Sequence, residues 1–264
     1  MKDIFVAAYQ MDILTGDKTG NITKVELMLQ KYHSQELDLL VLPELFSTGF
    51  AYPIFPKLAE DFESSNTLKT LNELSEEYHT GLAGSILCKD KDEKYQNIGF
   101  IISPSKGLVY KYQKIHLWGT EKNYFSPGKD ITSPVNFENK AWIGLAICYD
   151  LRFPEVYRRL AIQGAEILLT PAAWPAQRWE HFILLTKARA LENTCYHISC
   201  NRIGKEESPD YVEYNGNSQI ISPMANEIIG PLNIENEIVA KLTAEELTKT
   251  RKYIPVLKDR QLEI

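Results

Sequence analysis

The sequence predicts one α/β domain, with a mixed sheet or two stacked sheets inside and helices outside. Short apolar runs alternate with segments of helical period along most of the 264 residues, the pattern of strands and helices taken in turn. Hairpin signals are mixed in, so the sheet is not purely parallel. No linker, repeat or low-complexity segment interrupts the chain, and its length suits a single domain spanning 1–264. With 44% hydrophobic and 24% charged residues the composition is that of an ordinary globular protein. A chain of this size can bury its core without disulfide staples.

Residues 4–9 are an apolar run and read as the first strand. Ile22, Val25 and Leu29 recur on one face of 21–35 with charges between them, which predicts a helix. Residues 38–42, DLLVL, form a short buried strand that Pro43 ends. Leu68, Leu71, Leu74 and Tyr78 give 67–79 a helical face, and 81–88 returns to strand character. Residues 96–103 and 108–114 are two strands joined by Pro104-Ser105-Lys106-Gly107, where the glycine supplies the positive φ of a hairpin turn. The apolar run 141–147 predicts a buried strand delivering Cys148 at its end. Residues 155–163 read as a helix closed by Gly164, 166–171 as a strand, 178–193 as a helix and 195–203 as a strand. Residues 218–222 and 238–242 read as strands around a turn at 223–227. Thr243 followed by Glu246 predicts a capping box opening the last helix. The polar tail from Lys252 is expected to reach outward to a partner.

Net charge is −6 and no basic run is present, which argues against nucleic acid. The N-terminal MKDIFVAAYQMDIL holds too short an apolar run for a signal peptide, and no run of 18 apolar residues suggests a membrane span. Cys88, Cys148, Cys195 and Cys200 stand apart with no C-x-x-C pair. That disfavours a disulfide framework or a zinc site, and it suits the reducing cytoplasm. No metal or cofactor is expected.

Three reactive side chains stand just past predicted strands: Glu44, Lys114 and Cys148. Taken singly, each has an ordinary reading as a solvated carboxylate, an edge lysine or a core cysteine. Strand ends in α/β folds gather at one edge of the sheet, and that edge carries the site. Together the three suit acyl transfer. A cysteine attacks a carbonyl, and a carboxylate takes its proton and returns it to the leaving amine. A lysine stabilises the oxyanion and is expected to favour the thiolate. His116, two residues from Lys114, opens a Cys–His alternative of the papain type.

PELFSTGF, YQKIHLWGTE and ICYDLRFPE resemble the three signature blocks of the nitrilase superfamily, the carbon–nitrogen hydrolases, and the likeness covers essentially the whole chain. The resemblance implies an αββα sandwich of two mixed sheets flanked by helices. It implies a catalytic Glu-Lys-Cys triad at Glu44, Lys114 and Cys148. Glu121 in EKNYFSPG matches a second glutamate that positions the lysine and the substrate, and the Tyr149 N–H becomes a second oxyanion donor. His116 and Asp150 then become structural. The family habit further implies a homodimer with the tail, about 252–264, lying over the partner.

ICYDLRFPE, TPAAWPAQRWEHF and KARALENTCYHISCNRIG resemble the ω-amidase branch, which cuts the terminal amide of 2-oxo acid amides such as 2-oxoglutaramate. A substrate of that class carries a carboxylate. Arg152 is the natural cation for it, the alternative being a salt bridge to Asp150 or Glu155. Phe50 and Trp174 are expected as pocket walls, the alternative being core. An N-carbamoyl amine hydrolase, a general aliphatic amidase or a deaminated-glutathione amidase would keep the triad and change the pocket. A binding module without turnover is the reading from another class.

Overall fold

The computed structural model of the chain describes residues 1–206, 211–229 and 234–262. The first half of the chain runs β1 (Ile4–Gln10), α1 (Lys18–Tyr32), β2 (Leu39–Val41), α2 (Phe55–Leu58), β3 (Glu60–Asp61), α3 (Asn66–Tyr78), β4 (Gly81–Lys89), β5 (Tyr95–Ser103) and β6 (Gly107–Gln113). Then come β7 (Val135–Phe137), β8 (Ala141–Leu145), α4 (Pro154–Ile162), β9 (Ile167–Ala172), α5 (Trp179–Asn193) and β10 (Tyr196–Asn201). The last stretch holds β11 (Ile203–Glu206), β12 (Val212–Asn215), β13 (Gln219–Ile221), β14 (Glu227–Ile229), β15 (Asn236–Leu242), α6 (Ala244–Tyr253) and α7 (Val256–Asp259).

Two mixed sheets result. One has the order β15-β1-β2-β4-β5-β6 with β3 on β4, the other β14-β13-β10-β9-β8-β7, and β11-β12 is a separate hairpin. Each sheet is built on three parallel strands joined by two helices: β1-α1-β2-α3-β4 in one, β8-α4-β9-α5-β10 in the other. β1 shows why such strands read as unbroken apolar runs. Its Val6 and Ala8 join the core between the sheets, while Ala7 and Tyr9 pack with Val25 and Leu29 of α1 and Leu71 of α3. On the far side Val156 and Leu160 of α4 and Phe182 of α5 cover the second sheet. Four layers follow, helix, sheet, sheet, helix. The sheets press close at Gly99 of β5, where a Cβ would stand 2.5 Å from a Leu145 methyl of β8.

Local differences from the sequence reading have local causes. α1 starts at Lys18 rather than 21, because the Asp17 carboxylate accepts the Gly20 N–H at 2.9 Å. The turn after β13 leads into β14 of the same sheet, whereas β15 crosses to pair antiparallel with β1, Ile4 opposite Leu242. Residues 218–222 and 238–242 are therefore not two arms of one turn. The capping box is half formed. Thr243 accepts the Glu246 N–H at 3.3 Å, but the Tyr196 hydroxyl takes both reciprocal places, accepting the Thr243 N–H and donating to Glu246. The tail folds back first, with Leu257 of α7 packed on the main core, before Leu262 emerges exposed. The last two residues of the expected 252–264 interface segment lie outside the described residues.

Candidate active site

The C-terminal ends of the parallel strands assemble the site. Glu44 follows β2, Ala173 and Trp174 follow β9, and Cys148 follows β8. β6 lies two antiparallel steps from β4, so it points the same way and sets Lys114 at the same edge. The Lys114 backbone is still held by its neighbours, its N–H on Asn97 O and its carbonyl under the Gly128 N–H.

Lys114 Nζ donates to Glu44 Oε1 and to Glu121 Oε1, each at 2.7 Å. Asn97 Nδ2 donates to Glu44 Oε1 at 2.8 Å, and the Ala173 N–H to Glu44 Oε2 at 3.0 Å. The Cys148 thiol lies near enough to the same Glu44 carboxylate to feel its charge. Glu121 takes the Trp118 N–H on its second oxygen at 3.2 Å. Glu44 and Lys114 are fully buried and Cys148 and Glu121 are each 6% exposed, so these charges face one another and not water.

That burial sets the protonation states. It pushes the Glu121 carboxyl up to about 7, with Glu44 adding to the rise and Lys114 opposing it. Burial alone would pull Lys114 down, but Glu121 and Glu44 outweigh it and hold the ammonium well above the usual lysine range. Burial and the Glu44 charge push the Cys148 thiol well above its ordinary value, against the pull of Lys114. Lys114 does favour the thiolate, as expected, but burial and the Glu44 charge outweigh it. The sulfur is a thiol, and a base must take its proton.

Cys148 opens a helical turn, Cys148–Arg152, and sits at φ +44°, a left-handed conformation that costs a non-glycine residue ~1–3 kcal/mol. Asp150 ties this turn down. Its fully buried carboxylate accepts the Ile147 N–H at 3.1 Å and the Tyr112 hydroxyl at 2.7 Å on one oxygen. On the other it meets the His116 N–H at 3.0 Å and His116 Nδ1 at 2.8 Å. His116 also stacks on Phe153, with centroids 3.5 Å apart. The imidazole serves the turn and not the sulfur. As second residue of the turn, Tyr149 has a backbone N–H without an acceptor inside it, and its ring packs edge-on against Phe153.

The cavity beside Cys148 is lined by Trp118, Glu121, Tyr149, Arg152, Trp174 and Arg178 among others. Among the described residues Arg152 meets neither Asp150 nor Glu155. Its guanidinium lies 4.9 Å from the Trp174 ring centroid, with Nη2 3.2 Å from His181 Nδ1. Trp174 is 3% exposed and donates its indole N–H to Arg178 O, so it is both wall and core. Phe50 lies one step away, in an adjoining cavity of about 170 Å³ with Tyr52, Val212, Glu206 and Tyr214. The two cavities share Trp118, Glu121, Ala173 and Pro175.

Sequence reasoning missed Asn97, the Ala173 N–H, Arg178 and Glu206. A polar residue inside the apolar run of β5 was a usable signal for Asn97. A backbone donor leaves no trace in a sequence, and Arg178 stood unmarked at a helix start. Among the described residues no group of three or more His, Cys, Asp or Glu is arranged to hold a metal ion. No helix among them is long and apolar enough to cross a membrane.

Residues 5–252 match the family model of carbon–nitrogen hydrolases. The chain belongs to the carbon–nitrogen hydrolase family. This carbon–nitrogen hydrolase is 30% identical over 262 residues to a Staphylococcus aureus protein called hydrolase in agr operon, covering 98% of both chains. It is 32% identical over 257 residues to the 2-oxoglutaramate amidase of Bacillus subtilis (strain 168), covering 96% of both. Its structure matches that of Saccharomyces cerevisiae Nit3, a member of branch 10 of the nitrilase superfamily. The TM-score is 0.89 at 26% identity, over 99% of this chain and 97% of that one. The four-layer arrangement is thus the nitrilase fold.

Proposed function

We propose that this carbon–nitrogen hydrolase cuts the terminal amide of a small carboxylate-bearing substrate, of the 2-oxoglutaramate or 2-oxosuccinamate type, and releases ammonia through a thioester on Cys148. The observation that carries the reading is the fully buried Glu44 carboxylate, which holds the Lys114 ammonium at 2.7 Å and stands close enough to the Cys148 thiol to raise it. The relative named 2-oxoglutaramate amidase supports the substrate class.

In this reading Cys148 Sγ attacks the amide carbon as Glu44 takes the thiol proton. The oxyanion forms between Lys114 Nζ and the Tyr149 N–H. One such buried donor is worth about 3–4 kcal/mol of barrier. The C–N bond breaks, Glu44 returns the proton to nitrogen and ammonia leaves. Water then gives its proton to Glu44 and attacks the thioester, which restores the thiol and frees the acid. Every proton and electron pair comes from Cys148, Glu44, substrate or water. Glu121 shares Lys114 with Glu44 and helps to hold it on target. Arg152, supported on Trp174 and free of Asp150 and Glu155, takes the substrate carboxylate, with Arg178 as a second cation in the same cavity.

The wider reading adds a homodimer and a cytoplasmic setting. Exposed Leu184 of α5, Tyr253 and Leu262 are the surfaces a second copy would cover, with the tail near 253–262 in the interface. Four buried free cysteines suit a reducing compartment. The deciding assay is ammonia release from 2-oxoglutaramate and succinamate. Cys148→Ala should abolish it, and a folded Cys148→Ala protein working at the wild-type rate would sink the assignment.

A further inference from the structure

A buried asparagine at the end of β10, Asn201, touches neither sulfur nor cavity, yet its side chain is committed entirely to the segment beside Glu44. We infer that Asn201 is a positioning residue for Glu44. Its amide fixes the three residues Ala172, Ala173 and Trp174, and the Ala173 N–H in turn aims the carboxylate. The inference rests on the amidase reading above, in which Glu44 carries the proton.

β10 runs parallel to β9 and sets Asn201 opposite Ala172. The Asn201 amide grips backbone on two sides. Its Oδ1 accepts the Trp174 N–H at 2.7 Å, and its Nδ2 donates to Trp174 O at 3.2 Å and to Gly216 O at 2.7 Å. An amide supplies one acceptor and two donors in a single plane, which is what this grip requires. Asn201 is itself held by the loop after β12. Its N–H donates to Ser218 Oγ at 2.9 Å, and that hydroxyl donates back to Asn201 O at 3.2 Å. The next residue continues the tie, with the Arg202 N–H on Ala172 O at 3.2 Å.

The segment so gripped holds Glu44 in turn. Ala172 O accepts the Glu44 N–H at 3.4 Å, and the Ala173 N–H donates to Glu44 Oε2 at 3.0 Å. Lys114 Nζ and Asn97 Nδ2 both donate to Oε1, which occupies its two lone pairs. The thiol proton is therefore taken on Oε2, and the Ala173 N–H orients that oxygen. The Trp174 ring has supports of its own. Its indole N–H donates to Arg178 O at 2.8 Å, and its centroid lies 5.4 Å from that of Phe182. Loss of the Asn201 amide thus moves the Ala173 peptide more than the Trp174 ring. The cost falls on proton transfer and spares the cavity wall.

The test is the steady-state kinetics of Asn201→Ala on succinamate and 2-oxoglutaramate, with thermal melting to verify folding. A misplacement of about 1 Å at a reacting group costs on the order of 100-fold, so kcat should fall at least about tenfold. KM should stay within about threefold, because the lost contact acts after substrate is bound. Tyr196→Phe is the comparison. It strips the opposite end of β10, where the Tyr196 hydroxyl accepts the Thr243 N–H at 3.2 Å and donates to Glu246 at 2.9 Å. Its melting point should fall while kcat stays within about twofold. If alanine does not fold, Asn201→Ser, whose hydroxyl can keep one bond, should lower kcat at least about threefold with the same small change in KM. A folded Asn201 variant with kcat within about twofold of the parent would overturn the positioning role and leave the amidase reading standing. A loss seen in KM alone would do the same, as would an equal kcat loss in Tyr196→Phe. Failure of both Asn201 variants to fold would make the residue structural and overturn the inference too. A parent protein inert toward both amides would remove both readings together.

Discussion

Asp150→Asn tests whether the turn that bears Cys148 is held in place by one carboxylate. Four donor positions converge on Asp150: the Ile147 N–H, the Tyr112 hydroxyl, the His116 N–H and His116 Nδ1. An amide keeps one accepting oxygen and sets an NH₂ group where the other stood. If the NH₂ faces Tyr112, that hydroxyl can turn and accept, but the Ile147 N–H is orphaned. If it faces His116, the ring nitrogen can accept, but the His116 N–H is orphaned. Either way one buried N–H loses its partner, at ~1–3 kcal/mol. For a domain of this size the melting temperature should fall by roughly 2–10 °C. The same oxygen at Ile147 helps to keep Cys148 at φ +44°, which itself stores ~1–3 kcal/mol. Released, the sulfur leaves its place beside Glu44, so kcat should drop by roughly 10–100-fold, at ~1.4 kcal/mol per decade. Thermal melting and ammonia release from succinamate read the two effects. A folded variant with kcat within twofold and a melting point within about 1 °C of the parent would refute the argument.

Two further outcomes follow from the electrostatics. Glu44 raises the Cys148 thiol and is also its proposed base, so Glu44→Gln should split two readouts: ammonia release falls at least ~100-fold, while iodoacetamide labelling of Cys148 at pH 8 quickens because the thiol becomes more acidic. Labelling that slows along with turnover would contradict that balance. His197 is fully buried between Thr170 and Thr186 O, and burial lowers it from 6.5 to about 3. Its depressed value means that its contribution is present above pH 6.5 and is lost as pH falls toward 3, on the order of 5 kcal/mol in all. Denaturant unfolding at pH 7 and pH 4 should show a smaller acid loss in His197→Gln than in the parent, and an equal loss would exclude His197 as the cause.

The parts of this molecule legible in the sequence are those written in side-chain pattern. β1, β4 and β8 announce themselves as apolar runs because both their faces are covered. Glu44 and Cys148 stand where such runs stop and Lys114 just past an alternating strand, but it was the resemblance to the three signature blocks that joined them into one expected triad. The hairpin of β11 and β12 was not visible, since IGKE and VEYN have too little apolar pattern, and with it Glu206 and the second cavity were missed. The net balance at the Cys148 sulfur was not legible for a different reason. A nearby lysine can be read from a sequence, but the depth of burial that outweighs it cannot. Arg152 shows the converse. Its charge and position were clear, but only the saturation of Asp150 by other donors left it available.

The seam at Gly99 acquires meaning in this light. Glu44, Lys114 and Glu121 hang from strands of one sheet, while Cys148, Arg152 and Ala173 hang from the other. The proposed nucleophile and its proposed base thus belong to different halves of the chain, and neither half carries both. The close approach of the two layers, where β5 rides against Leu145, therefore bears on how Cys148 meets Glu44. An ångström of slack between the layers would cost turnover well before it cost the fold.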